Sequence, residues 1–144
     1  MVKRIFIVGF WLFICVNLSF AQWQVPFNLG PTVNSSSDDR RPSVSYSGDT
    51  LYFSSDRPGG QGGFDIWMTV KVGGVWNTPV NLGPPINTAN TDFLPSINNN
   101  GDVLYFISDR LGGLGGYDVW VSTNVGGVWT APVNLTAVNS AATE

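Results

Sequence analysis

Hydrophobic and polar residues alternate most regularly between residues 64 and 72, where every second residue is apolar. A period of two predicts a β-strand with one buried face. Residues 42–46 and 50–55 are rich in strand-forming types, and the turn sequence Ser47-Gly48-Asp49 separates them. Because no stretch after residue 21 shows the helical period, we expect an all-β fold.

A fourth strand is predicted at the edge of this group. Gly73-Gly74 is typical of a tight hairpin turn, and strand-like residues follow it at 75–76 and 79–82. Pro79 cannot donate a ladder hydrogen bond, so this segment fits only an outer strand. The sequence therefore predicts four antiparallel strands per unit, the number found in one blade of a β-propeller.

The whole pattern returns at an interval of 53 residues. The copies begin with tryptophan and occupy residues 23–75, 76–128 and, in truncated form, 129–144. The first two align without a gap and are identical at 28 of 53 positions, and the same spacing aligns Glu144 with Thr91. Repeats near 50 residues indicate propeller blades or a solenoid. For residues 22–144 we expect a partial β-propeller of two four-stranded antiparallel blades plus flanking strands.

The two most similar stretches, residues 51–67 and 104–120, share the motif Ser-Asp-Arg-x-Gly-Gly-x-Gly-Gly-aromatic-Asp-aliphatic-Trp, with Ile107 before the second Ser-Asp-Arg. This motif resembles the WD40-like (TolB-type, PD-type) β-propeller repeat of bacterial periplasmic and cell-envelope proteins. The resemblance covers residues 23–135. It implies a periplasmic or envelope location and a non-catalytic, protein-binding role. The peptidoglycan-binding OmpA-like domain often found beside such repeats has no counterpart in these 144 residues.

We assign the repeated motif residues to architecture, because a catalytic residue is needed once per site whereas these residues recur in each blade. The aspartates of the Asp-Arg pairs are expected to hold turns by accepting backbone N–H groups. The adjacent arginines are expected to pair across the loop with Asp65 or Asp118. The glycines at 59, 60, 62 and 63 would supply positive φ or allow close approach. This structural set is Asp56, Arg57, Asp65, Trp67, Asp109, Arg110, Asp118 and Trp120.

Residues 1–21 have the features of a secretory signal peptide. Lys3 and Arg4 precede an apolar run from Ile5 to Phe20, and small residues precede a cleavage point after Ala21. The run is about 16 residues long, shorter than the roughly 20 residues of a membrane-spanning helix. We therefore expect export to the periplasm or beyond, with no membrane span after cleavage.

Composition excludes several classes of function for the exported chain. It keeps five cationic residues against ten acidic ones, a net charge of about −5, which gives no basic surface for nucleic acid. The sequence contains no histidine, and its single cysteine, Cys15, lies in the predicted signal peptide. Ser-His-Asp and Cys-His catalysis and the usual zinc sites are thereby excluded. We expect neither an enzyme nor a bound cofactor.

Two alternatives stay open. Sialidases are also propellers with repeated aspartate turns, but Pro58 stands where their Asp-box has glycine, and Ile107 replaces the serine found at Ser54. A glycan-binding or glycan-hydrolysing propeller is therefore the second hypothesis, with peptidoglycan or another glycan as ligand. Calcium is the other, because aspartate, asparagine and glycine-loop carbonyls supply oxygen ligands.

Residues that the repeat does not copy are the best candidates for recognition. Asp38, Arg40 and Arg41 align with Thr91, Phe93 and Leu94, and they lie on a loop before the first strand of a blade. Loops on a rigid scaffold commonly carry binding residues. Two blades also leave apolar sheet faces uncovered, so we expect a protein partner or self-association to complete the propeller.

Overall fold

The computed structural model describes residues 25–142, so the predicted signal peptide at 1–21 lies outside the described residues. This part of the chain is all-β and contains no helix long and apolar enough to cross a membrane. Blade 1 consists of β1 (Asp39–Val44), β2 (Thr50–Ser55), β3 (Asp65–Val72), β4 (Val75–Trp76) and β5 (Val80–Asn81). Blade 2 consists of β6 (Asp92–Ile97), β7 (Val103–Ser108), β8 (Asp118–Val125), β9 (Val128–Trp129) and β10 (Val133–Asn134).

Each blade is an antiparallel sheet whose fourth strand is split into two short pieces. In blade 1, β1, β2 and β3 pair in sequence order, and β4 and β5 both pair with β3 on either side of residues 77–79. Pro79 lies within this break, as expected of an outer strand. The prediction of a partial β-propeller with two four-stranded blades is confirmed.

The predicted strand at residues 50–55 coincides with β2, but the first strand begins earlier than expected. β1 starts at Asp39 because a bulge between Arg40 and Ser43 carries the pairing past Pro42. Arg41, inside the bulge, has a left-handed φ of 56°. Its copy Leu94 has a φ of 55° at the same point of β6. The bulge is therefore a repeated feature of the blade.

Strand alternation gives each blade two apolar faces. We call front face the side that carries Leu51, Phe53 and Trp67 in blade 1 and Leu104, Phe106 and Trp120 in blade 2. The back face is the opposite side, with Tyr52, Ile66 and Met68 in blade 1 and Tyr105, Val119 and Val121 in blade 2. Every member of each set lies 53 residues from its copy.

The main core lies between the blades, where the back face of blade 1 packs on the front face of blade 2. Tyr52 and Ile66 contact a cluster with Leu104, Phe106 and Trp120. Ile86, from the linker at residues 82–91, fills the same layer and is fully buried. Val33 occupies the matching position on the front face of blade 1, in a separate cluster with Leu51, Phe53 and Trp67.

Asparagine side chains fasten each linker to the blade before it. Asn87 accepts a hydrogen bond from the Ile66 N–H and donates to the Ile66 carbonyl, both at 2.9 Å. Asn139 does the same at Val119, at 2.8 and 2.9 Å. Asn139 lies 52 residues after Asn87, so the expected alignment of Glu144 with Thr91 shifts by one residue after Leu135.

Candidate interaction surface

The motif arginines join each blade to the segment that precedes it. In blade 2, Arg110 donates to Asp92 Oδ1 at 2.6 Å, to Ser108 Oγ at 3.0 Å and to the Ile86 carbonyl. In blade 1, Arg57 donates to Asp39 Oδ1 at 2.6 Å and to the Val33 carbonyl at 2.7 Å. The expected pairing of these arginines with Asp118 and Asp65 is therefore wrong.

Asp65 and Asp118 point into their own glycine-rich loops instead. Asp118 Oδ2 accepts the Leu114 N–H at 2.7 Å, and Asp65 Oδ2 accepts the Gln61 N–H and the Asn81 amide. Burial raises the pKa of Asp65 above its usual value; these hydrogen bonds oppose the shift, and the Asp92 charge adds to it. Both carboxylates thus serve loop closure within one blade.

Close approach requires glycine at three positions of the first loop, Gly60, Gly62 and Gly63, and at two described positions of the second, Gly113 and Gly115. A Cβ on Gly60 would overlap the Asp65 carboxylate, and one on Gly62 would overlap the Asn90 carbonyl of the linker. Gly115 lies against the Ala142 carbonyl in the same way. The glycine loop is therefore the point where a blade meets the linker that follows it.

Asp56 and Asp109 occupy separate, equivalent turns. Asp56 Oδ1 accepts the Asp38 N–H at 2.9 Å, and Asp109 Oδ1 accepts the Thr91 N–H at 2.8 Å. Each bond ties the end of the blade's second strand to the start of its first. The two carboxylates do not share a site. Between residues 25 and 142, no three acidic, histidine or cysteine side chains are grouped so that they could hold a metal ion.

Trp67 and Trp120 lie in the front-face clusters, each 7% exposed. The guanidinium of the motif arginine stacks over each ring at 5.2 Å from the centroid. A ring held under a guanidinium contributes both apolar burial and a cation–π contact. Trp120 packs between the two blades, whereas Trp67 packs with Val33 on the front face of blade 1.

The three predicted recognition residues, Asp38, Arg40 and Arg41, lie in two different places. Arg40 forms an ion pair with Asp38 and lies over the Phe64 ring at 4.5 Å from its centroid. Its copy Phe93 packs edge-on against Tyr117, so position 40 covers a ring in both blades. Arg41 is exposed in the bulge. The structure thus brings Asp38 and Arg40 together, whereas Arg41 sits apart in the bulge.

A cavity of about 130 Å³ opens on the front face of blade 1. Its walls are Leu29, Val33, Asn34, Asp39, Arg40, Pro42, Leu51 and Phe53. Most of the equivalent positions in blade 2 are buried. The clearest example is proline: Pro42 of blade 1 is exposed, whereas its copy Pro95 in blade 2 is buried. The cavity therefore marks a face that lacks the covering blade.

A second, polar groove of about 380 Å³ lies between the β1–β2 and β6–β7 turns. It is lined by Ser45, Tyr46, Ser47, Thr50, Tyr52, Asn99, Asn100 and Gly101. Sequence reasoning missed it, although the signal was present: residues 45–47 read Ser-Tyr-Ser where 98–100 read Asn-Asn-Asn. The groove is thus formed largely by positions that differ between repeats.

Comparison of the chain with family models gives no match, and no curated protein is similar to it.

Proposed function

We propose that this chain is a non-catalytic, exported β-propeller module that binds protein through the two sides that no blade of the described chain covers: the back face of blade 2, and the front face of blade 1, where residues 29–34 lie over Leu51, Phe53 and Trp67. The resemblance of its glycine-loop motif to WD40-like repeats of the bacterial envelope supports a periplasmic or envelope location.

A comparison of repeat copies carries the proposal. Tyr52, on the covered back face of blade 1, is 5% exposed, whereas its copy Tyr105 is 41% exposed. Positions outside the blade interface show no such change: Val80 and Val133 are 60% and 63% exposed. The difference at Tyr105 is therefore caused by a missing neighbour, and exposed apolar sheet surface is typical of an association site.

The non-catalytic part of the proposal is supported by the positions of the motif carboxylates. Asp56 and Asp109 hold equivalent turns, and Asp65 and Asp118 close equivalent loops. A general acid–base pair needs two carboxyl groups directed at one substrate. Each of these side chains is instead used within its own blade.

Site-specific photocrosslinking tests the proposal in the cells that export the chain. A photoreactive phenylalanine analogue at Tyr105 is expected to give covalent adducts with protein, either another copy or a different partner. Leu111, 94% exposed on the glycine loop, is the matched control and is expected to give few adducts. If position 105 crosslinks no more than position 111, the back face of blade 2 is not a protein-binding surface.

Glycan binding is a second candidate function, favoured by the polar groove. Tyr46 is 84% exposed beside Asn99 and Asn100, which combines an aromatic ring with amide donors and acceptors. Calorimetric titration with soluble peptidoglycan fragments tests it. Binding that is lost in Tyr46→Ala and retained in Leu111→Ala would support it, and absence of binding heat to the unsubstituted chain would refute it.

A further inference from the structure

We infer that copies of this chain associate head to tail, with the back face of blade 2 in one copy covering the front face of blade 1 in the next. The inference rests on the proposed function and names the partner of the same two faces. It follows from the interface between blades 1 and 2, which already joins a back face to a front face.

Both halves of a new interface of this kind are present in one chain. The front face of blade 1 carries Leu51, Phe53 and Trp67, identical to the residues that blade 2 presents to blade 1. The back face of blade 2 repeats the tyrosine of blade 1 as Tyr105 and places valine at 119 and 121, where blade 1 has isoleucine and methionine. A second copy therefore offers a back face for the front face of blade 1, which only residues 29–34 cover in the described chain, and a front face for the exposed back face of blade 2.

The open back face is more apolar than the covered one. Val103 stands where blade 1 has Thr50, and Ile107 stands where it has Ser54. In the chain itself, Ser54 Oγ accepts the Leu94 N–H at 3.0 Å across the blade interface. Ile107 cannot accept this bond, so the contact between copies would exchange one hydrogen bond for apolar area.

A second hydrogen bond between blades has a counterpart in the open faces. Ser43 Oγ accepts the Ile97 N–H at 3.1 Å. The copies of these residues are Ser96, which is exposed on blade 2, and Val44, which is 55% exposed on blade 1. Head-to-tail contact places Ser96 of one copy beside Val44 of the next.

In a head-to-tail contact, residues 29–34 and a segment of the incoming copy would occupy the same place on the front face of blade 1. Residues 29–34 lie on the front face of blade 1, where the Leu135–Asn139 segment of an incoming copy would lie by analogy with residues 82–87. Asn139 is fixed to Val119 by two hydrogen bonds and to Asn134 by a third. Asn34 bonds Asn28 at 2.9 Å, and in residues 25–142 it has no bond to a strand. Residues 29–34 are held on blade 1 by the burial of Val33 and by the bond from Arg57 to the Val33 carbonyl. An incoming Val138 could make both contacts, as Ile86 does with blade 2 and Arg110, so head-to-tail contact would replace residues 29–34 on the front face of blade 1.

Val138 is the uncovered side chain at the matching position of the segment after blade 2. It is 62% exposed, whereas Ile86 and Val33 at the matching position are 0% and 3% exposed. The front face of a neighbouring blade 1 is the surface that covers such a side chain in this fold. Back-to-front contact is heterologous, so repeated contacts close into a ring when the rotation permits. Propellers of four to eight blades correspond to two to four copies.

Sedimentation velocity of the purified, exported chain over a range of concentrations tests the inference. We expect a discrete species of two, three or four times the chain mass. Tyr105→Arg is expected to weaken association by about 100-fold, the effect of losing a central interface residue, whereas Leu111→Arg leaves it unchanged. A chain that remains monomeric at about 100 μM, a concentration within the Kd range of weak complexes, would overturn the inference.

Cysteine crosslinking gives an independent test that does not depend on a destabilising substitution. Val44→Cys with Ser96→Cys is expected to form disulfides between copies under mild oxidation, because the two positions lie on outward-facing sides of different blades. Val72→Cys with Ser96→Cys is the control, since Val72 is 63% exposed and its copy Val125 is 65% exposed, away from the interface. Equal crosslinking of the two pairs contradicts the head-to-tail arrangement.

The two experiments separate this inference from the proposed function. A monomeric purified chain whose position 105 crosslinks to a different protein in cells refutes self-association and leaves protein binding standing. A monomeric chain with no adduct at position 105 refutes both.

Discussion

Replacing Asn87 by alanine is expected to destabilise the chain more than the same change at either equivalent asparagine. Asn87 is 1% exposed and makes two hydrogen bonds with Ile66 and a third with Asn81. Alanine removes all three bonds and leaves the Ile66 N–H buried without its partner. The Ile66 carbonyl keeps its bond from the Leu82 N–H at 3.1 Å.

The size of the effect follows from these contacts. Three hydrogen bonds contribute about 1 kcal/mol each, and one unpaired buried N–H costs a further 1–3 kcal/mol with partial overlap between the two effects. We expect Asn87→Ala to lower the free energy of unfolding by about 3–4 kcal/mol. Asn139 is 8% exposed, and its partner Val119 is only partly buried whereas Ile66 is fully buried. Water can therefore replace part of the bonds that Asn139→Ala removes, and we expect a loss of about 1–2 kcal/mol.

Asn34→Ala is the third member of the series. Its described partner is Asn28, which is exposed, so we expect a loss below about 0.5 kcal/mol. Urea unfolding followed by tryptophan fluorescence measures all three variants. With a slope of about 1–3 kcal/mol per molar, the midpoint of Asn87→Ala should fall by roughly 2 M at unchanged slope. Equal losses of unfolding free energy at positions 87 and 139 would refute the role of Asn87 as a buried link between the linker and blade 1.

Three further outcomes follow from the structure. Gly62→Ala should lower the free energy of unfolding by about 1–3 kcal/mol in the same urea assay, because its Cβ overlaps the Asn90 carbonyl; an unchanged midpoint would contradict this. Arg41→Gly should raise the free energy of unfolding by about 0.5 kcal/mol, because glycine adopts the left-handed φ without strain and its entropic cost is smaller than that strain. A lower free energy of unfolding would contradict the assignment of strain to Arg41. Burial raises the pKa of Asp39, but hydrogen bonds from Ser55, Arg57 and Ser35 outweigh it, so the pKa lies below the usual 3.8. The stability that this carboxylate contributes is therefore present above pH 3.8 and lost as the pH falls through the lowered value. The difference in unfolding free energy between the unsubstituted chain and Asp39→Asn should shrink over that pH range. A difference that stays constant with pH would contradict this.

Local patterns were sufficient to predict the strands. The alternation over residues 64–72, the Gly73-Gly74 turn and the outer position of Pro79 each depend on neighbours in sequence, and β2, β3 and the split outer strand follow them. The start of β1 was missed because a bulge around Arg41 extends pairing past a proline. A bulge is fixed by the partner strand, which periodicity does not contain.

Long-range pairing was harder to predict. Arg57 binds Asp39, 18 residues earlier, and not Asp65, which is nearer in sequence. Between residues 37–41 and 90–94, the one identical position is Asp39 and Asp92. Only the folded blade shows that the motif arginine reaches back to this aspartate. Periodicity likewise defines two faces on a blade and gives no information on which is covered.

The repeated joint between blades has a consequence for how such genes change. Each boundary needs only one blade's back, the following blade's front and a linker held by an asparagine and an arginine, all encoded within about one 53-residue period. Recombination between the two copies, which are identical at 28 of 53 positions, would insert or delete a whole period and regenerate the same joint on both sides. Variation in the number of blades among descendants of such a gene would then need no new contact to evolve.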